Sequence, residues 1–291
     1  MRICTITVSL ATALLFCACS GPTDRKEYKL QGQILSVAAD HKEANIKHED
    51  IKGLMPAMTM PYKVRDAKQF EGIAPGDLIN ATLVVVSNDA YLQDVKKVGN
   101  APLAQPAAQA AAPSASSGFE LLKEGEPVPN VSFVNQDGTH LEFDSFKGDA
   151  VVVTFIYTKC PMPNFCPLMD QQFAKIQQKL KEKNNELKVH LLSVSFDPLE
   201  DTPPVLKKHA QRLGADPRVW TFVTGDRDDI DRWASRFGVS VSRALDDPTN
   251  ITHNLRTAIV DRQGNLVQTY TGNQWTPEQV VSDVKVMVGV D

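Results

Sequence analysis

The segment AVVVTFIYTKCPMPNFCPLMDQQFAKIQQKL, residues 150–180, decides how the chain folds. Its opening, AVVVTFIY, is a continuous β-branched apolar run, the mark of a strand buried on both faces. From Pro167 onward, Met169, Phe173, Ile176 and Leu180 recur at the spacing that puts them on one face of a helix. Between strand and helix stand Cys160 and Cys166, each followed by a proline, with a third proline between them. Cys166 falls at or next to the helix N-cap, with Pro167 at the first helical position. Free N–H groups and the helix dipole favour negative charge there, so a stabilised thiolate is expected at Cys166.

Working outward, KVHLLSVSF (188–196) reads as the next buried strand. Asp201 and Thr202 are expected to cap a helix that carries Pro203 in its first turn and Gly214 after its end. A helix from about Arg227 to Phe237 presents Ile230, Trp233 and Phe237 and stops at Gly238. Two hairpins flank these elements: VSFVNQDGTHLEF (131–143), turning on Asp137-Gly138, and LRTAIVDRQGNLVQTY (255–270). The end, TPEQVVSDVKVMV, opens with Thr276 and Gln279 at capping-box spacing. This order, with a thiol where the first helix begins, is that of an α/β thioredoxin-like domain, assigned to residues 119–291.

Residues 99–118, GNAPLAQPAAQAAAPSASSG, hold no charge and, apart from Leu103, no large apolar side chain, so they read as a linker. Before them, residues 28–98 contain five short alternating runs separated by Gly, Pro and Asp signals. They predict a small all-β, OB-like five-stranded barrel, because closure removes exposed strand edges.

The start, MRICTITVSLATALLFCACSGP, has Arg2, a short apolar run and then small residues, the layout of an export signal. LLFCACS resembles a bacterial lipoprotein box. It implies a signal peptide over 1–18, a lipid-modified Cys19, a tether over 19–27 and a place on the periplasmic side of the envelope. The balance of 31 Lys plus Arg against 35 Asp plus Glu, without a basic block, excludes nucleic acid as a partner class. With Cys4 and Cys17 removed and Cys19 lipidated, Cys160 and Cys166 remain. In an oxidising compartment such a pair is a staple, a redox couple or a metal site.

A thiolate is both the nucleophile of disulfide exchange and a soft ligand for Cu(I). His253, in NITHNLRTAIVD, lies just ahead of the strand that should run beside AVVVTFIY, where an imidazole can face both sulfurs. Two thiolates and one imidazole form a soft three-donor set suited to copper. Asp197 follows the second buried strand, either as an outer group of that set or as a turn former.

FIYTKCP (155–161), VSFDPLEDTP (194–203) and ITHNLRTAIVDRQGNLV (251–267) resemble the Sco/SenC family. These are exported thioredoxin-like proteins that bind copper and help assemble the CuA centre of cytochrome c oxidase. The resemblance implies Cys160, Cys166 and His253 as ligands for copper, as Cu(I) and/or Cu(II), and oxidase subunit II as partner. The family motif has three residues between its cysteines, and this chain has five, PMPNF. The longer loop adds Met162, expected to be an exposed side chain, or else an extra thioether.

HEDIKGLMPAMTMPYKV (48–64) resembles the small periplasmic copper-binding barrels of the CusF type. That resemblance gives His48, Met58 and Met60 the role of ligands, with Met55 where the type has a tryptophan. Met58 and Met60 are two apart, so both thioethers share one face of a strand. The competing reading is that these methionines pack the barrel. His41, His140, His190 and His209 receive no role.

Three functions follow: a membrane-tethered copper chaperone; a thiol–disulfide oxidoreductase using Cys160 and Cys166 as its redox-active pair; and, most weakly, a peroxiredoxin-type peroxidase. The last suffers from spacing, since Thr158 is two residues before Cys160 rather than three.

Overall fold

The computed structural model describes residues 25–55, 57–86, 89–103, 120–182, 188–243 and 251–288. The expected leader, Cys19, most of the tether and most of the linker lie outside the described residues.

β1 (Lys26–Val37), β2 (Glu43–His48), β3 (Met58–Lys63), β4 (Asp77–Val86) and β5 (Asp89–Asn100) form an antiparallel sheet in the order β3-β2-β1-β4-β5. β5 extends two residues into the stretch read as linker. Alternation sends Ala44, Ile46 and His48 of β2 inward, beside Leu30, Ile34, Phe70 and Leu83. The sheet curls until its edges meet at one parallel bridge, Val64 to Leu92. No ladder joins the edge strands β3 and β5, so the five-stranded sheet is barrel-like but not closed, short of the closure expected. Gly32 of β1 is required here: a Cβ would stand 2.7 Å from the Lys47 carbonyl and 2.9 Å from His48 Cα.

The C-terminal part has a seven-stranded sheet with helices against it. Its elements are β6 (Ser132–Asn135), β7 (His140–Glu142), β8 (Ala150–Ile156), α1 (Cys166–Glu182), β9 (Val189–Ser195), α2 (Pro203–Leu213), β10 (Trp220–Thr224) and α3 (Arg227–Arg236). They are followed by β11 (Val241–Arg243), β12 (Ile251–His253), β13 (Arg256–Val260), β14 (Leu266–Thr271) and α4 (Pro277–Val288). The sheet order is β14-β13-β8-β9-β10-β6-β7, with β11 and β12 paired separately. Every residue of β8 and β9 is buried, and these strands run parallel to each other. Helix α1 lays Met169, Phe173, Ile176 and Leu180 on the sheet, each worth about 1.5–3 kcal/mol of burial. The predicted hairpins are the pairs β6/β7 and β13/β14, with Gly138 and Gly264 at positive φ. Thr202 is the N-cap of α2 but makes no side-chain cap bond.

Candidate metal centre

β8 and β9 end at the same edge of the sheet, and antiparallel β13 begins there, since Thr154 faces Thr257 and Ile156 faces Ser195. The loop after β8 therefore emerges beside the residues that precede β13. This topology brings Cys160, Cys166 and His253 together: their sulfurs and one ring nitrogen all lie within 4.8 Å of one another. Donors at about 2.0–2.3 Å around a three-coordinate ion stand roughly 3.5–4 Å apart, so a small inward shift completes the grip.

His253 Nε2 is 3.5 Å from Cys166 Sγ, and Nδ1 lies 2.9 Å from the Asn254 carbonyl. A carbonyl only accepts, so Nδ1 carries a proton, and Nε2 is the ring nitrogen that faces the sulfurs. Phe196, Tyr157 and Phe165 wall the imidazole, with ring centroids 4.7, 5.7 and 6.1 Å away. Arg243 holds the Phe196 carbonyl while pairing with Asp231, which fixes the nearest wall.

Both cysteines are free thiols, Cys166 buried and Cys160 half-buried. Burial opposes ionisation of each. At Cys160, hydrogen bonding with Cys166 and His253 outweighs it and holds the thiol well below its ordinary range. Cys166 is pushed well above that range by burial and by its hydrogen bond and charge interaction with Cys160. The first thiolate is thus Cys160. This corrects the expectation from the helix terminus: Cys166 is the first residue of α1, but complete burial beside a second sulfur dominates the dipole.

Asp201, expected as a helix cap, has another task. Fully buried, it accepts from the Thr158 backbone N–H at 3.0 Å, the Thr158 hydroxyl and the Ser195 hydroxyl at 2.6 Å. It ties the start of the thiol loop to the end of β9. A lone Asp in a polar stretch gives no sign of this in the sequence. Thr158 is occupied by that bond. Asp197 is buried, and its backbone carbonyl forms a turn with the N–H groups of Glu200 and Asp201. Burial, with Asp201 and Glu200 nearby, pushes its carboxyl up to about 6. His209, read as unremarkable, is buried and 2.8 Å from Asp170, one turn after Cys166 on α1.

In the barrel, His48 faces Met58 across β2 and β3, and Met60 follows on the same face. His48 Nδ1 is 2.7 Å from the Glu49 carbonyl, so its Nε2 lone pair is free by the same logic. That Nε2 is buried without a hydrogen-bond partner. Met55 is buried and receives a weak bond from the Tyr62 hydroxyl at 3.9 Å. Met58 and Met60 line a small cavity with Cys160 and His253, whereas His48 borders a neighbouring groove with Gly32 and Ala57. Met162 is not the exposed loop residue expected: it is 4% exposed and packs into the barrel's own core cluster.

Comparison with known proteins places these features. The family model described as SCO1/SenC matches residues 123–289, and that of the copper binding periplasmic protein CusF matches residues 27–97. The SCO1 protein homolog of Bacillus subtilis (strain 168) is 31% identical over 167 residues, covering 57% of this chain and 83% of that protein. The crystal structure of a SCO1/SenC family lipoprotein from Bacillus anthracis str. Ames aligns at TM-score 0.50 and 28% identity, over 56% of this chain and 98% of that one. BsSco, described as a member of the Sco family of cytochrome c oxidase assembly proteins, aligns at TM-score 0.50 and 29% identity, over 59% of this chain and 100% of that one.

Proposed function

This chain belongs to the SCO1/SenC family, and from that premise we propose that it is an exported, membrane-anchored copper chaperone. It acts in assembly of the CuA centre of cytochrome c oxidase, with subunit II as the recipient. In this reading the barrel captures Cu(I) through His48, Met58 and Met60, and the thioredoxin-like domain holds copper through Cys160, Cys166 and His253. Copper is cargo, bound and passed on. The observation that carries the reading is the convergence of two thiols and His253 Nε2 inside 4.8 Å, beside a wall of three aromatic rings. Soft sulfur donors with one imidazole select copper over harder ions.

Anaerobic titration of the whole reduced chain with Cu(I) tests it. Two equivalents should bind, one lost in Cys160→Ser and the other in the double variant Met58→Leu, Met60→Leu. Binding of a single equivalent untouched by the methionine changes would defeat the two-site reading.

The asymmetry of the thiols favours a second reading, a thiol–disulfide oxidoreductase in which ionised Cys160 attacks and Cys166 resolves. Exchange needs both thiols and no imidazole ligand. If His253→Ala abolishes copper retention yet supports oxidase assembly in cells, the reductase reading is correct.

A further inference from the structure

The barrel and the thioredoxin-like domain meet at the thiol loop, around a cavity rich in sulfur. Four methionines, Met55, Met58, Met60 and Met162, line one cavity together with Cys160 and His253. It offers about 30 Å³ of space open to a water-sized sphere. That holds an ion or about two waters, and nothing the size of a side chain. Met162 belongs to the loop between the cysteines yet sits among Ile51, Met55, Met60 and Tyr62 in the barrel's core cluster. Cys160 and Phe165 are packed against the cores of both domains. Beside this plug, Lys63 of β3 reaches Asn273 at 3.4 Å, and Asn273 donates to the Asn164 carbonyl of the same loop at 2.7 Å.

We propose that Met162 is a relay ligand: its thioether bridges the donors of the barrel and Cys160, so that Cu(I) crosses between the two sites inside the closed seam. The inference rests on the chaperone reading and adds to it a route and a residue. Each step is a ligand exchange. A copper–sulfur bond to Met162 forms as one to Met58 or Met60 breaks, and the bond to Cys160 then replaces the one to Met162. The ion stays Cu(I) throughout, no electron moves, and any proton on the Cys160 thiol leaves to water. Thioethers suit the middle of such a path because they are soft, neutral and weakly held. Met162 needs no solvent-exposed swing to reach either side, being buried between both.

The test uses the full reduced chain labelled with ¹³C-methyl methionine and titrated with one equivalent of Cu(I). The Met162 methyl resonance should move with those of Met58 and Met60, and a Met162 signal that stays fixed while theirs shift overturns the proposal. In stopped flow, copper loaded on the barrel should reach the thiolates, seen as sulfur-to-copper absorbance, despite excess water-soluble Cu(I) chelator. Met162→Leu keeps volume and apolarity, so it should still bind two equivalents while transfer slows more than tenfold and the chelator intercepts the ion. A Met162→Leu protein that transfers at the wild-type rate sinks the relay and leaves the two-site chaperone standing. Wild type that binds fewer than two equivalents removes both.

Discussion

His253 Nε2 and Cys166 Sγ stand 3.5 Å apart, with the far ring nitrogen committed to the Asn254 carbonyl. The imidazole thereby sits beside a thiol pair in which Cys160 ionises first. Iodoacetamide should alkylate Cys160 with a midpoint well below that of an ordinary thiol, and Cys166 more than tenfold more slowly at neutral pH. His253→Gln removes one of the groups that holds Cys160 low, so its midpoint should rise. Mass spectrometry of the alkylated peptides across pH checks both.

Asp201 is the anchor of the thiol loop. Asp201→Ala leaves the Thr158 N–H and the Thr158 and Ser195 hydroxyls without their acceptor. A loss of about 3 kcal/mol is expected in urea denaturation. Hydrogen exchange should quicken at Thr158 and leave the amides of the barrel strands unchanged.

The methionine pair can be changed without wrecking the barrel. Met58→Leu with Met60→Leu conserves apolar volume, so stability should fall by less than about 1.5 kcal/mol. Gly32→Ala should do the reverse. It touches no donor, but its Cβ meets Lys47 and His48 backbone, so barrel stability and the first copper equivalent should be lost together. Thermal melts paired with Cu(I) titration separate the two effects.

Two buried groups oppose one another in acid. The Asp197 carboxyl is raised from 3.8 to about 6, so the folded state binds more protons in that window and stability falls as pH rises through it. The His190 imidazole is lowered by burial from 6.5 to about 4, so the unfolded state binds more protons and stability rises as pH rises through that window. Each contributes on the order of 2 kcal/mol, and the wild type should be nearly flat between pH 4 and 6.5 in these two contributions. Asp197→Asn should leave a stability that climbs with pH, and His190→Gln one that declines. Chemical denaturation at half-unit pH steps measures the slopes.

The elements of both domains were legible because their signals are local. A run such as AVVVTFIY declares a buried strand, and the spacing from Met169 to Leu180 declares a helix whichever partner it meets. The Cys160, Cys166 and His253 set was legible too, since a β8 and β13 pairing forces those segments to one edge. The ionisation order of the thiols was not, because it depends on how deeply each sulfur is buried, which no local pattern encodes. Asp201 escaped notice for a related reason: its partners lie 43 and 6 residues away in the chain. The burial of Met162 belongs to the meeting of two domains, whose sequences each read as self-sufficient. Export and the lipid at Cys19 rest on the leader's pattern alone.

The seated barrel restricts access to the thiols. With Met162 plugged into it and Cys160 pressed against its core, the face that displays the thiols is already occupied by the chain's own neighbour. In the proposed chaperone role, a recipient reaching for Cys160 competes with the barrel for that face, so filling and emptying exclude one another.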